Sequence, residues 1–114
     1  MLIQVLKSKL KDVIVTAADT EYEGSITLDE DLMDAAGLYR SEAVHVNGVN
    51  SDSRIITYVI PGKRGSGCVE LNGGAANFFK KGEHIHVNSF GFIDIGSRNP
   101  QHIVITDENN KVID

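Results

Sequence analysis

YEGSITLDEDLMDAAG, residues Tyr22–Gly37, joins a strand signal to a helix signal. The segment opens as a strand at Tyr22-Glu23-Gly24-Ser25-Ile26-Thr27, yet a glycine and a serine sit in its middle. Glycine weakens a strand by roughly 0.5–1 kcal/mol relative to alanine, so its presence calls for a reason. The helix that follows is well marked. Asp29, Glu30 and Asp31 place carboxylates at its start, where the helix dipole favours them. Asp29 is positioned as the N-cap and Gly37 as the left-handed terminator.

Outward from this stretch, short apolar segments recur at 13–16, 25–28, 43–46, 55–60, 68–71, 85–90 and 103–106. Asn47-Gly48, Pro61-Gly62, Gly65-Ser66-Gly67 and Asn72-Gly73-Gly74 punctuate them as turns. Many short strands at this spacing predict a small sandwich or barrel. A second short helix is expected from about Ala75. Tryptophan is absent and aromatics make up only 6%, so the core must be mainly aliphatic. The expectation is a mainly β fold with two or more short helices.

A chain of 114 residues suits one domain, and 41% hydrophobic with 24% charged residues fits a folded, soluble protein. No apolar run approaches the roughly 20 residues that span a bilayer, and Met1–Leu6 is too short for a signal peptide's apolar region. A cytoplasmic location with no membrane partner is the default. The single cysteine, Cys68, excludes an internal disulfide and fits a reducing compartment. The net charge of −5 argues against a nucleic-acid partner, since phosphate contacts dominate such affinity.

Several side chains could carry chemistry. Lys7, Lys9 and Lys11 alternate, so a strand would point all three to one face, as a solvated face or an anion site. His84 and His86 would also share a strand face, but no third ligand is evident and no metal is expected. His45 and His102 are isolated. Cys68 lies in an apolar run and reads as a buried, inert thiol. Asn72-Gly73-Gly74-Ala75-Ala76 lets backbone approach a ligand, although it matches no nucleotide-binding motif. Arg54 and Tyr58 share a strand face, with Thr57 turned away.

Gly24-Ser25 has a chemical reading. A serine hydroxyl can attack the preceding carbonyl and convert the peptide bond into an ester. Glycine leaves that approach unobstructed and permits strained geometry. Elimination from the ester then gives dehydroalanine, which hydrolyses to a pyruvoyl group.

The stretches KSKLKDVIVTAADTEYEGSITLDEDLMDAAGL (7–38), RIITYVI (54–60), GKRGSG (62–67) and NGGAA (72–76), in this order, closely resemble the bacterial pyruvoyl-dependent aspartate 1-decarboxylases. The match covers nearly the whole chain and is looser in the tail. The resemblance implies a double-psi β-barrel, assembled as a homotetramer with active sites between subunits. It implies self-cleavage between Gly24 and Ser25 into chains 1–24 and 25–114, with or without a maturation factor. The implied reaction turns L-aspartate into β-alanine and carbon dioxide through a Schiff base with the pyruvoyl group, supplying pantothenate and coenzyme A synthesis.

Carried over by position, Ser25 becomes the pyruvoyl group and Tyr58 donates the proton. Thr57 assists processing and contacts substrate, and Lys9 and Arg54 meet the substrate carboxylates. Asn72, Gly73, Gly74 and Ala75 form the segment beside the substrate. Three positions depart from the family's usual pattern: the 47–53 loop lacks bulky or acidic residues, Gly74 replaces the usual alanine, and His86 replaces an aliphatic residue. His86 is expected to pack through a hydrogen bond or to tune the pH profile.

The competing readings are an unprocessed double-psi barrel that only binds, and a small dimeric swapped-hairpin transcription factor. The acidic net charge and lack of a basic stripe count against the second. Fragments on a denaturing gel would separate the enzyme from the first.

Overall fold

In a computed structural model that describes residues 1–114, apolar alternation builds eight strands. They are β1 (Leu2–Ile14), β2 (Ala17–Asp19), β3 (Ser25–Asp29), β4 (Ala43–Gly48), β5 (Arg54–Gly62), β6 (Val69–Asn72), β7 (His84–Asp94) and β8 (His102–Ile105). Helix α1 spans Glu30–Ala36, and the second short helix, expected from about Ala75, is a 3₁₀ helix over Gly73–Asn77.

The strands are ordered β2-β6-β3-β5-β4-β7-β1-β8. Only Val15 and Thr16 separate β1 from β2, so one nearly continuous strand forms one end of this order and lies next to β8 at the other. Thr16 closes the ring. Its amide donates to the Val69 carbonyl at 2.8 Å, and its Oγ1 accepts from the Val69 amide at 2.9 Å. The result is the mainly β, barrel-like class expected from the sequence.

The interior collects Leu10, Val13, Ile26, Leu28, Val44, Val46, Val59, Leu71, Ile85 and Val87, with Phe79 as its one aromatic. An aliphatic core of this kind is the main stabilising contribution of the fold. Because side chains alternate along a strand, filling the interior with these residues turns their neighbours outward. Ser25 and Thr27, Asn72 and Glu70, Arg54, Ile56 and Tyr58, His45 and Asn47, His84 and His86, and Lys9 therefore lie on the outer face.

Several local expectations needed correction. Gly24 does not sit inside a strand: β3 begins at Ser25, and Tyr22–Gly24 belong to the preceding turn. Pro61-Gly62 is no turn, because β5 runs through both, paired with Leu28 and Asp29 of β3. Parallel pairing at the end of β5 tolerates a residue without an amide hydrogen. The segment 13–16 is only the end of a far longer β1, interrupted by bulges between Leu6 and Ser8 and between Leu10 and Val13.

Asp29 holds this region together. Its carboxylate caps α1 through the Asp31 amide at 2.8 Å and accepts from Gly65 at 3.0 Å and Gly67 at 2.7 Å. Burial opposes its ionisation, yet these three amides hold it below the usual carboxylate range. Gly37 ends the helix at φ 65°, as the sequence predicts.

Candidate active site

Ser25 opens β3 with φ 154°, a conformation that L-residues rarely adopt, and is 1% exposed. Backbone held there costs on the order of 1–3 kcal/mol and persists only where its surroundings enforce it. Two ladders enforce it here: β3 pairs with β6 on one side, Ser25 opposite Asn72, and with β5 on the other, Ile26 opposite Val59. Gly24 has open space where a Cβ would stand. The strain therefore sits on the serine, and the fold itself imposes no steric need for glycine before it.

Asn72 Nδ2 donates to Ser25 Oγ at 2.8 Å and to Thr27 Oγ1 at 2.9 Å. The donated hydrogen bond fixes the hydroxyl and favours its alkoxide form. Gly73 follows at φ 62°, and a Cβ there would lie 2.6 Å from the Gly24 amide nitrogen and also strike the Tyr22 carbonyl. Here glycine is required, since the start of the 73–77 turn packs directly against the backbone of residues 22–24, next to Ser25. Gly74 has open space around it and Ala75 is buried, so neither shows a comparable constraint.

One cavity gathers Tyr22, Glu23, Gly24, Ser25, Thr27, Tyr58, Ile60, Glu70 and Asn72. Tyr58 reaches it because parallel β3–β5 pairing sets Val59 opposite Ile26 and brings the preceding residues side by side. Of the residues named from the sequence, Gly24, Ser25, Tyr58 and Asn72 thus meet, with Gly73 packed behind them. Glu70 was missed. Its signal was available in Val69-Glu70-Leu71-Asn72, where alternation puts Glu70 and Asn72 on one face.

Thr57, Arg54 and Lys9 lie elsewhere. Thr57 pairs with Val44 and faces inward between Ile55 and Val59, away from Tyr58. Arg54 is four residues from Tyr58, about 13 Å along the strand. It lines a separate depression with His45, Asn47, Ile55, Ile56, Asn88 and Phe90. Asn88, 8% exposed on its floor, leaves its Oδ1 without a partner. Lys9 pairs with Asn88 on β7. Three strands, β7, β4 and β5, separate it from β3. That is about 19 Å across a convex face, on which outward side chains diverge.

The lysines divide by partner. Lys7 Nζ binds Glu42 at 2.7 Å and the Gly37 carbonyl at 2.9 Å, which leaves Lys9 and Lys11 as the unpaired cations of this strand. His84 and His86 do share a face, and both engage Asp12, which bulges at φ 61°. Asp12 Oδ1 lies 2.8 Å from His84 Nδ1, and the Asp12 amide donates to His86 Nδ1 at 3.0 Å. His86 therefore packs through a hydrogen bond, one of the two roles expected of it. Burial, with Lys9 nearby, holds its pKa below the usual value. Cys68 is buried, and that burial pushes its thiol pKa up, in keeping with an inert role.

No helix is long and apolar enough to cross a membrane. A family model described as "Aspartate decarboxylase" matches residues 1–113. Among curated proteins, the chain is 43% identical to an aspartate 1-decarboxylase of Caldicellulosiruptor saccharolyticus, over 99% of this chain and 90% of the relative. It is 50% identical to one of Phocaeicola vulgatus, over 82% of this chain and 81% of the relative. It is also 43% identical to one of Neisseria meningitidis, over 96% and 88% respectively. Matched over nearly its full length to enzymes of one kind, the chain belongs to the aspartate decarboxylase family.

Proposed function

We propose that this protein decarboxylates L-aspartate to β-alanine, the supply for pantothenate and coenzyme A, with a pyruvoyl group made from Ser25. The observation that carries the reading is Ser25 itself, a buried serine with strained backbone whose hydroxyl is gripped by Asn72 next to Gly24. Attack of Oγ on the Gly24 carbonyl forms an ester and frees the Ser25 amine, which relaxes the backbone.

Once formed, the pyruvoyl group would supply a ketone for the substrate amine and a sink for the electrons left by carbon dioxide. The chain's own residues do the rest. Tyr58, beside Ser25 in the cavity, carries a phenol hydroxyl that can deliver a proton to the carbon that lost carboxylate. Lys9 and Arg54 supply positive charge for a dianionic substrate, Arg54 through paired hydrogen bonds.

Arg54 lines a different depression from the Ser25 cavity, and three strands stand between the strand of Lys9 and β3. We assign them to the site of a neighbouring copy, within a homotetramer whose active sites lie between subunits. The outer face offers such a copy exposed apolar side chains, Ile56 at 67% and Phe92 at 66%. Thr57, turned inward, acts through the backbone of β5 or after that strand shifts.

The test is Ser25→Ala, read by mass spectrometry under denaturing conditions. The wild-type chain should give fragments 1–24 and 25–114, and Ser25→Ala should remain whole and inactive. A whole but active wild-type chain would overturn the pyruvoyl reading.

A further inference from the structure

Glu70 lines the Ser25 cavity and has no role in the scheme above. It stands on β6 opposite Thr27 of β3, one diagonal step from Ser25, and faces outward with Asn72. Diagonal neighbours on a sheet lie about 7–8 Å apart at their backbones, within reach of a long side chain. Its backbone is fixed from both sides, by β3 and by Ala17 of β2. Its half-buried carboxylate takes part in none of the chain's ion pairs.

A carboxylate that no cation engages, held beside the reacting residue, is placed to act as a base. Glu23 is the cavity's other carboxylate, but it lies in the exposed turn before the bond that breaks. Glu70, by contrast, is held in a strand paired on both sides.

We propose that Glu70 is the base of the elimination step that matures Ser25; this rests on the pyruvoyl reading. After Oγ has attacked the Gly24 carbonyl, the Glu70 carboxylate takes the Ser25 Cα proton. The electron pair forms the Cα–Cβ double bond, the Cβ–Oγ bond breaks, and Gly24 leaves as a free carboxylate. The resulting dehydroalanine tautomerises to an imine, adds water and releases ammonia to give the ketone. Glu70 returns its proton to solvent.

The experiment follows freshly folded Glu70→Gln and Glu70→Ser chains by intact mass, with and without brief treatment with dilute neutral hydroxylamine, which cuts esters under conditions that spare amides, the Asn47-Gly48 and Asn72-Gly73 bonds included. Both variants should mature about 10²-fold more slowly than wild type, as expected on loss of a positioned base. They should also accumulate a hydroxylamine-cleavable chain, split at Gly24-Ser25, with an unchanged melting temperature. Wild-type maturation rates in the variants would overturn the assignment, as would a stalled chain that resists hydroxylamine. If the variants fail to fold, Glu70 is structural and the assignment is likewise overturned. A wild-type chain that never splits would instead defeat the pyruvoyl reading, which keeps the two failures distinct.

Discussion

Asn72 Nδ2 bridges Ser25 Oγ and Thr27 Oγ1, at 2.8 and 2.9 Å, across the β3–β6 ladder. The same side chain thus orders the hydroxyl that would attack and ties it to the strand that strains it. Asn72→Ala removes both bonds and should cost about 1–3 kcal/mol of stability through unpaired buried hydroxyls. Fragment formation should slow about tenfold or more, measured by mass spectrometry over time. Splitting at the wild-type rate would show that the hydroxyl needs no orientation from Asn72.

A change at Tyr58 should separate maturation from turnover. Tyr58→Phe keeps the ring and loses only the hydroxyl, so the barrel should fold and the chain should still split. β-Alanine formation per pyruvoyl group should fall by about 10²–10⁴, the usual range for a positioned acid. Near-normal turnover in a fully cleaved variant would assign the proton to another group or to water.

Arg54 and Lys9 should act across a subunit boundary. Arg54→Ala should lose about 2–5 kcal/mol of transition-state stabilisation, with Arg54→Lys recovering only part because lysine cannot make the paired contact. Refolding Arg54→Ala together with Ser25→Ala tests the geometry directly. Each parent lacks one half of every site, but mixed oligomers contain sites with both halves. Activity well above either parent is expected, and its absence would return Arg54 to the site of its own chain.

His86 should make stability depend on pH. Its pKa is lowered in the folded state by burial, then by Lys9 and Lys11, with Asp12 opposing, and its Nδ1 must stay unprotonated to accept the Asp12 amide. Above the unfolded value of about 6.5 both states are neutral there and the contact is kept. As pH falls through that value the unfolded chain binds the proton first, so stability drops until the lower folded value is passed. His86→Asn offers an oxygen to the same amide and does not titrate. Its melting temperature should therefore fall less than wild type's between pH 7.5 and 5.5.

The sequence by itself determined the mainly β class, the capped helix from Asp29 to Gly37, the aliphatic core and the family. These rest on local chemistry and on alternation, which a linear chain displays openly. Even the shared face of Arg54 and Tyr58 followed from strand period alone. Tertiary structure decided what meets what. Only strand order shows that Glu70 joins Ser25 while Lys9 is carried four strands away, because neighbours across a ladder are unrelated in sequence number. Only the paired ladders show that the strain falls on Ser25 and leaves Gly24 free, since a torsion angle held by two flanking strands leaves no mark in residue type.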